Sequence, residues 1–154
     1  MRSRVALGMV LALLAGGAGG CADGEVKEAN SYVAAVNDAQ QAFATRSEEL
    51  RDKVDVTQPG SQGRAALRDF YAAVDDFAGR LRAIDPPAAV RSLHEKLIGS
   101  IVRFGTSLRK AGSDIGSGNA GRILDGQEEL SNATASVGRS INATIAAIND
   151  ALRS

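Results

Sequence analysis

The sequence predicts an all-α fold, in the form of an antiparallel up-down-up-down four-helix bundle. Three observations carry that expectation. Apolar residues recur at three- and four-residue steps in four separate stretches, turn-forming segments divide those stretches, and nothing in the chain alternates with a period of two.

The stretch before the first stripe has a different character. Arg2 and Arg4 make a basic start, Val5 to Ala15 form an apolar run, and Gly16, Gly17, Ala18, Gly19 and Gly20 form a small-residue segment. This is the three-part plan of an export signal. The apolar run is too short to cross a bilayer, which takes about 20 residues. The single cysteine of the chain, Cys21, follows at once. A lone cysteine in an exported chain has no internal disulfide partner, so its place at the signal boundary asks for another explanation.

The ending Ala18-Gly19-Gly20-Cys21 resembles the bacterial lipobox, with Ala18 where Leu is usual. The resemblance implies cleavage before Cys21 and fatty-acylation of its thiol, with chains of the palmitate kind. Two or three acyl chains anchor stably where one would be marginal. The expected organisation is a lipoprotein signal peptide over 1–20, a lipidated N-terminus and polar tether over 21–28, and the bundle over 29–154.

The first stripe runs Val26, Ala29, Val33, Val36, Gln40, Phe43, Ser47, Leu50 and Val54, along one helical face. The segment Thr57 to Gly63, with Pro59-Gly60 inside it, interrupts the pattern. The second stripe, the clearest, is Ala66 or Leu67, Phe70, Val74, Phe77, Leu81 and Ile84. Asp85 is placed to cap a third helix, with Pro86 at its first position, where no intrahelical donor is needed. That helix carries Val90, Leu93, Leu97, Ile101, Phe104 and Leu108. The glycines between Gly112 and Gly121 predict a loop, after which Asn119 is a candidate cap for a fourth helix bearing Ile123, Leu130, Val137, Ile141, Ile145, Ile148 and Leu152. Helices of about 25 to 30 residues would each span roughly 40 Å.

Composition narrows the function classes. The 154-residue chain holds 18 basic and 18 acidic residues; loss of Arg2 and Arg4 with the signal leaves the mature chain slightly acidic. That is no footprint for nucleic acid and no polybasic membrane patch. The chain has no Trp and few aromatics, which disfavours sites built on aromatic faces.

No catalytic, metal or cofactor constellation stands out. His94 is the only histidine, and position 98, where a zinc-protease motif would need a second, is Ile98. A flanking histidine of this kind is expected to hydrogen-bond across the bundle or meet solvent. Glu48-Glu49 and Asp75-Asp76 diverge by about 100° around a helix and do not converge on one site. The loop-like stretch ending at Gly121-Arg122 lacks the Gly-Lys-Ser/Thr of a phosphate loop. The triplets beginning at Asn132 and Asn142 are formal glycosylation acceptors inside a helix, with no function assigned.

Beyond Cys21, the stretches Tyr32 to Ala44, Leu81 to Ile98 and Ile141 to Leu152 are similar to small helical lipoproteins of unknown function from actinobacteria. The resemblance implies an envelope location and a helical fold, and it transfers no catalytic residue. The expected role is a non-enzymatic binding or adaptor domain, lipid-anchored at the extracytoplasmic face of the cell membrane, whose partner is another envelope protein. Tethering would raise the effective concentration of neighbours at the same surface. The alternative is a carrier of a small apolar ligand or lipid within the bundle, with room left by Gly99, Gly105, Gly126 and Gly138.

Overall fold

In the computed structural model, residues 22–53, 61–117 and 119–154 are described. The expected export signal, Cys21 and the Pro59-Gly60 segment lie outside them. The described residues form four helices, α1 (Ala22–Lys53), α2 (Ser61–Arg82), α3 (Arg91–Ile115) and α4 (Ala120–Arg153), with a 3-10 turn, Ala88–Val90, between α2 and α3. There is no strand among them. The predicted all-α class holds.

Helix α1 starts at Ala22, so the stretch expected as a tether is already helical. Its Gly24, Glu25, Lys27 and Glu28 are exposed, and an exposed polar turn continues a helix without burying any charge. Beyond it, Ala29, Tyr32, Val33, Val36, Ala39 and Leu50 are buried. Gln40, Phe43 and Ser47 continue the stripe as half-buried positions.

The second stripe behaves as read, with Val74, Phe77 and Leu81 in the core and Phe70 and Ile84 packed against it. The rings of Phe43 and Phe77 stack at 5.0 Å between centroids, joining α1 to α2. The third stripe is rotated slightly from its expected line. Val90, His94, Leu97, Ile101, Gly105 and Leu108 are buried, whereas Leu93 and Phe104 are only partly so. In the fourth, Ile141, Thr144, Ile145 and Ile148 are buried, and Leu130, Val137 and Leu152 pack on the core from its margin.

Two local expectations are corrected. Asp85 does not cap α3: the chain runs without regular structure through Asp85, Pro86 and Pro87 into the 3-10 turn, and neither Pro87 nor Val90 makes a side-chain cap hydrogen bond. Two successive prolines hold the residue before each of them out of helical geometry, which delays the helix past Asp85. The other correction concerns Gly112 to Gly121. Helix α3 continues to Ile115 and α4 resumes at Ala120, so most of the expected loop is helical.

Glycine does different work there. A Cβ on Gly112 would run into the Tyr71 hydroxyl, and a Cβ on Gly126 would lie 2.8 Å from the Ala111 carbonyl oxygen. These glycines let α2 approach α3 and α4 approach α3, a close-contact use of the residue rather than a flexible one. Gly116, at the end of α3, has φ −76°, a value open to any residue. Asn119 caps α4 as predicted, its side-chain oxygen accepting from the Arg122 amide at 3.1 Å.

Consecutive helices pack on one another. Between α3 and α4, Ser100 meets Ser140, Lys110 meets Glu129, and Asp114 meets Arg122. Between α2 and α3, Leu81 meets His94, Val74 meets Gly105, and Tyr71 meets Gly112. In both sets the partner's number falls as the other's rises.

Candidate functional site

The buried polar groups separate holding chemistry from spare chemistry. Among the described residues, three polar side chains sit in the core, His94, Ser100 and Thr144. The Thr144 hydroxyl donates to the Ser140 carbonyl at 2.8 Å within its own helix. The Ser100 hydroxyl donates to the Lys96 carbonyl at 2.9 Å. Its oxygen is then free to accept from the Ser140 hydroxyl at 2.9 Å and from the Arg103 guanidinium at 3.1 Å. Both hydroxyls are thus committed to carbonyl acceptors of their own helices.

His94 is the chemically richest position. It is 3 % exposed, and its Nε2 lies 2.9 Å from the Leu81 carbonyl oxygen. A carbonyl can only accept, so Nε2 carries the proton. Nδ1 is then a lone pair, and it accepts from the Tyr32 hydroxyl at 3.1 Å. The two rings meet edge to face, with centroids 5.5 Å apart, an arrangement favoured by the ring quadrupole. The expected behaviour of an isolated histidine, a hydrogen bond across the bundle, is what the structure displays.

This chain of groups also solves a backbone problem. The last carbonyls of a helix lack intrahelical donors. At the end of α2 the Leu81 carbonyl takes the Ile84 amide at 3.1 Å and the His94 ring at 2.9 Å, filling both lone pairs. Burial shapes the acid-base character of both rings. It pushes the Tyr32 phenol up to about 12, and it lowers the His94 imidazole below its ordinary range, against opposing pulls from the Leu81 carbonyl and Glu95.

A cleft of about 370 Å³ opens beside His94 at the α2–α3 corner. Ile84, Pro86 and Ile98 make its apolar surface, and two charges of each sign, Arg82 and Arg91 with Asp85 and Glu95, line it. With both ring nitrogens engaged, His94 offers no free donor or acceptor to this cleft. A second groove of about 500 Å³ lies between α1 and α2, with Ala42, Ala72 and Ala73 in its lining. Charged side chains along it are partly tied to each other, Arg46 to Glu49 at 3.0 Å and Arg80 to Asp76 at 2.7 Å.

The acidic pairs part company as the helical geometry requires. Asp75 reaches Arg109 on α3, whereas Asp76 turns to Arg80 on its own helix. Glu49 pairs with Arg46, and Glu48 is exposed beside it. Among the described residues no group of three or more His, Cys, Asp or Glu side chains could hold a metal ion. Asn132 and Asn142 are exposed on α4. Of the four glycines considered as room for a ligand, Gly105 lies against Val74 and Gly126 against Ala111, while nothing lies within 4 Å of a Cβ on Gly138. Gly99 faces Arg103 of its own helix.

The Tyr32–His94 pair was not legible as a unit, because its members are 62 residues apart. A signal existed on each side. Val90, His94, Leu97 and Ile101 are themselves spaced by four, three and four, and Tyr32 adjoins Val33 on the inner face of α1. No protein-family model matches the chain, and no curated protein or solved structure matches it significantly.

Proposed function

We propose that this protein is a lipoprotein of the cell envelope, cleaved before Cys21 and anchored by acyl chains on that residue at the extracytoplasmic face of the membrane. Its helical domain acts as a non-enzymatic binding or adaptor module for another envelope protein. The observation that carries this reading is the single cysteine at position 21, directly after a basic, apolar and small-residue sequence. No described helix is long and apolar enough to cross a membrane, so attachment in this reading is through the modified cysteine. The resemblance to small helical lipoproteins points the same way.

The fold in this proposal is the antiparallel up-down-up-down four-helix bundle. The opposed running of partner numbers between α2 and α3, and between α3 and α4, supports it. A non-enzymatic role is supported by how the polar core is spent: His94 and Ser100 bond between helices, and Thr144 bonds back to its own helix.

Native mass spectrometry of the protein gently extracted from its own membrane tests the anchor and the partner together. The expected result is a diacylglyceryl-sized addition on Cys21 and a retained protein companion. Cys21→Ala should lose the addition and leave the membrane fraction. An unmodified Cys21 in the wild type would overturn the anchor. A small apolar molecule in place of a protein companion would replace the adaptor with a carrier.

A further inference from the structure

We infer that the Tyr32–His94–Leu81 chain is an acid-sensitive latch, which holds α1 on the α2–α3 corner and lets go when the imidazole gains a proton. The inference starts from the buried contacts of His94 and is independent of the anchor at Cys21.

The protonation state of the ring sets the number of donors. In the neutral ring, Nε2–H donates to the Leu81 carbonyl and Nδ1 accepts from the Tyr32 hydroxyl. Each group then has the partner its chemistry requires. A proton on Nδ1 turns both ring nitrogens into donors. The Tyr32 oxygen must now accept, and its own O–H has to point elsewhere. Tyr32 is only 2 % exposed, so that proton is turned toward packed side chains. A buried donor without a partner is costly, and the simplest relief is for α1 to move off the corner and let water in.

Charge around the ring does not offset this. Helix α1 presents the Tyr32 hydroxyl, and α2 presents the Leu81 carbonyl. The cleft beside the ring adds Arg82 and Asp85 from the end of α2 and the link, with Arg91 and Glu95 from α3, two of each sign. Helix α4 contributes no charged side chain to that cleft. The Leu81 carbonyl and Glu95 favour the imidazolium, yet burial outweighs them and lowers the His94 pKa.

The direction follows by linkage. A base whose pKa is lower in the closed state than in the open one binds fewer protons when closed. The contribution of the latch is therefore complete above the ordinary value of 6.5 and is lost as the pH falls from there toward the lowered midpoint. Opening should increase about tenfold for each unit by which the midpoint is depressed.

Because His94 is the only histidine, selective ¹⁵N-histidine labelling of the full chain reports on it without ambiguity. NMR should find the Nε2–H tautomer at neutral pH and a midpoint below 6.5. Amide exchange over residues 29–39, corrected for its intrinsic pH dependence, should quicken across the same titration. Tyr32→Phe removes the latch, so exchange in α1 should be fast at both ends of the range and cease to follow His94. An Nδ1–H tautomer, a midpoint at or above 6.5, or α1 exchange that stays level through the titration would overturn the latch. So would a Tyr32→Phe variant that keeps the wild-type response. If that variant fails to fold, the wild-type titration decides.

Discussion

The two connections that flank α3 hold the chain by different means. At the α2–α3 corner the backbone passes through Asp85, Pro86 and Pro87 into a 3-10 turn, with no side-chain cap at Pro87 or Val90. Order comes from a distance: His94 fills the Leu81 carbonyl, and Tyr32 on α1 fills His94. At the α3–α4 turn almost everything is local. Gly116 donates back to Gly112 at 3.0 Å, Asn119 caps α4, and Arg122 grips Asp114 at 2.7 and 3.0 Å. Just past that turn, Gly126 brings the α4 backbone against the Ala111 carbonyl. A connection made of neighbours can be capped by sequence-local chemistry. One that breaks on prolines depends on whatever the rest of the fold delivers to it.

The difference can be tested by substitution, beginning with the corner. Leu81 is fully buried, and Leu81→Ala should cost about 2–5 kcal/mol as the cavity forms under the His94 contact. Urea unfolding followed by circular dichroism measures it, and a loss below about 1 kcal/mol would mean that the corner collapses freely onto the gap. Gly126→Ala comes next. Helix propensity alone would make it stabilising by up to about 1 kcal/mol. The 2.8 Å approach to the Ala111 carbonyl predicts instead a loss of about 1–3 kcal/mol. A net gain would show that α3 and α4 separate there at no cost.

Smaller effects sharpen the contrast. Asn119→Ala removes a local cap and should cost about 1 kcal/mol, with faster amide exchange confined to the first turn of α4. Exchange that rose along the whole of α4 would show the cap controlling more than its own end. The weakest expected change is Asp75→Asn, which removes the partner of Arg109 on α3. Both side chains are about half exposed or more, so the loss should stay under about 1 kcal/mol and shrink further in about 1 M salt. A larger, salt-insensitive loss would mean that this surface pair helps to set the spacing of α2 and α3.

Legibility followed the range of the interaction. The stripe through Val74, Phe77 and Leu81 could be read directly, because its partners are its own neighbours at three- and four-residue steps. Asn119 could be read because its acceptor role is fulfilled three residues away. Asp85 misled because a capping residue before Pro looks the same in sequence whether or not a second proline, Pro87, postpones the helix. Gly112 misled for a related reason. A glycine that loosens a chain and one that admits a neighbouring backbone are the same letter, and only the neighbour distinguishes them.

The candidate site divides in the same way. His94 could be singled out as the lone histidine and expected to bond across the bundle, but not assigned a tautomer, since that required the Leu81 carbonyl on one nitrogen and the Tyr32 hydroxyl on the other. On α1, Gln40 and Ser47 sit on the apolar stripe, and the structure leaves Gln40 Oε1 and Ser47 Oγ buried without a partner among the described residues. Spacing placed these residues on the inner face and was silent on whether their polar atoms would be met.

By itself the sequence determined the all-α class, the four apolar faces and the cap of α4, because periodicity and capping act within a few residues along the chain. The tertiary structure alone decided which residues of different helices meet. The rotation of α3 that buries His94 in place of Leu93, the union of Tyr32 with that ring, and the seating of Gly126 on Ala111 each depend on how two helical surfaces interdigitate. Several registers satisfy the same apolar pattern, and only close packing selects one of them.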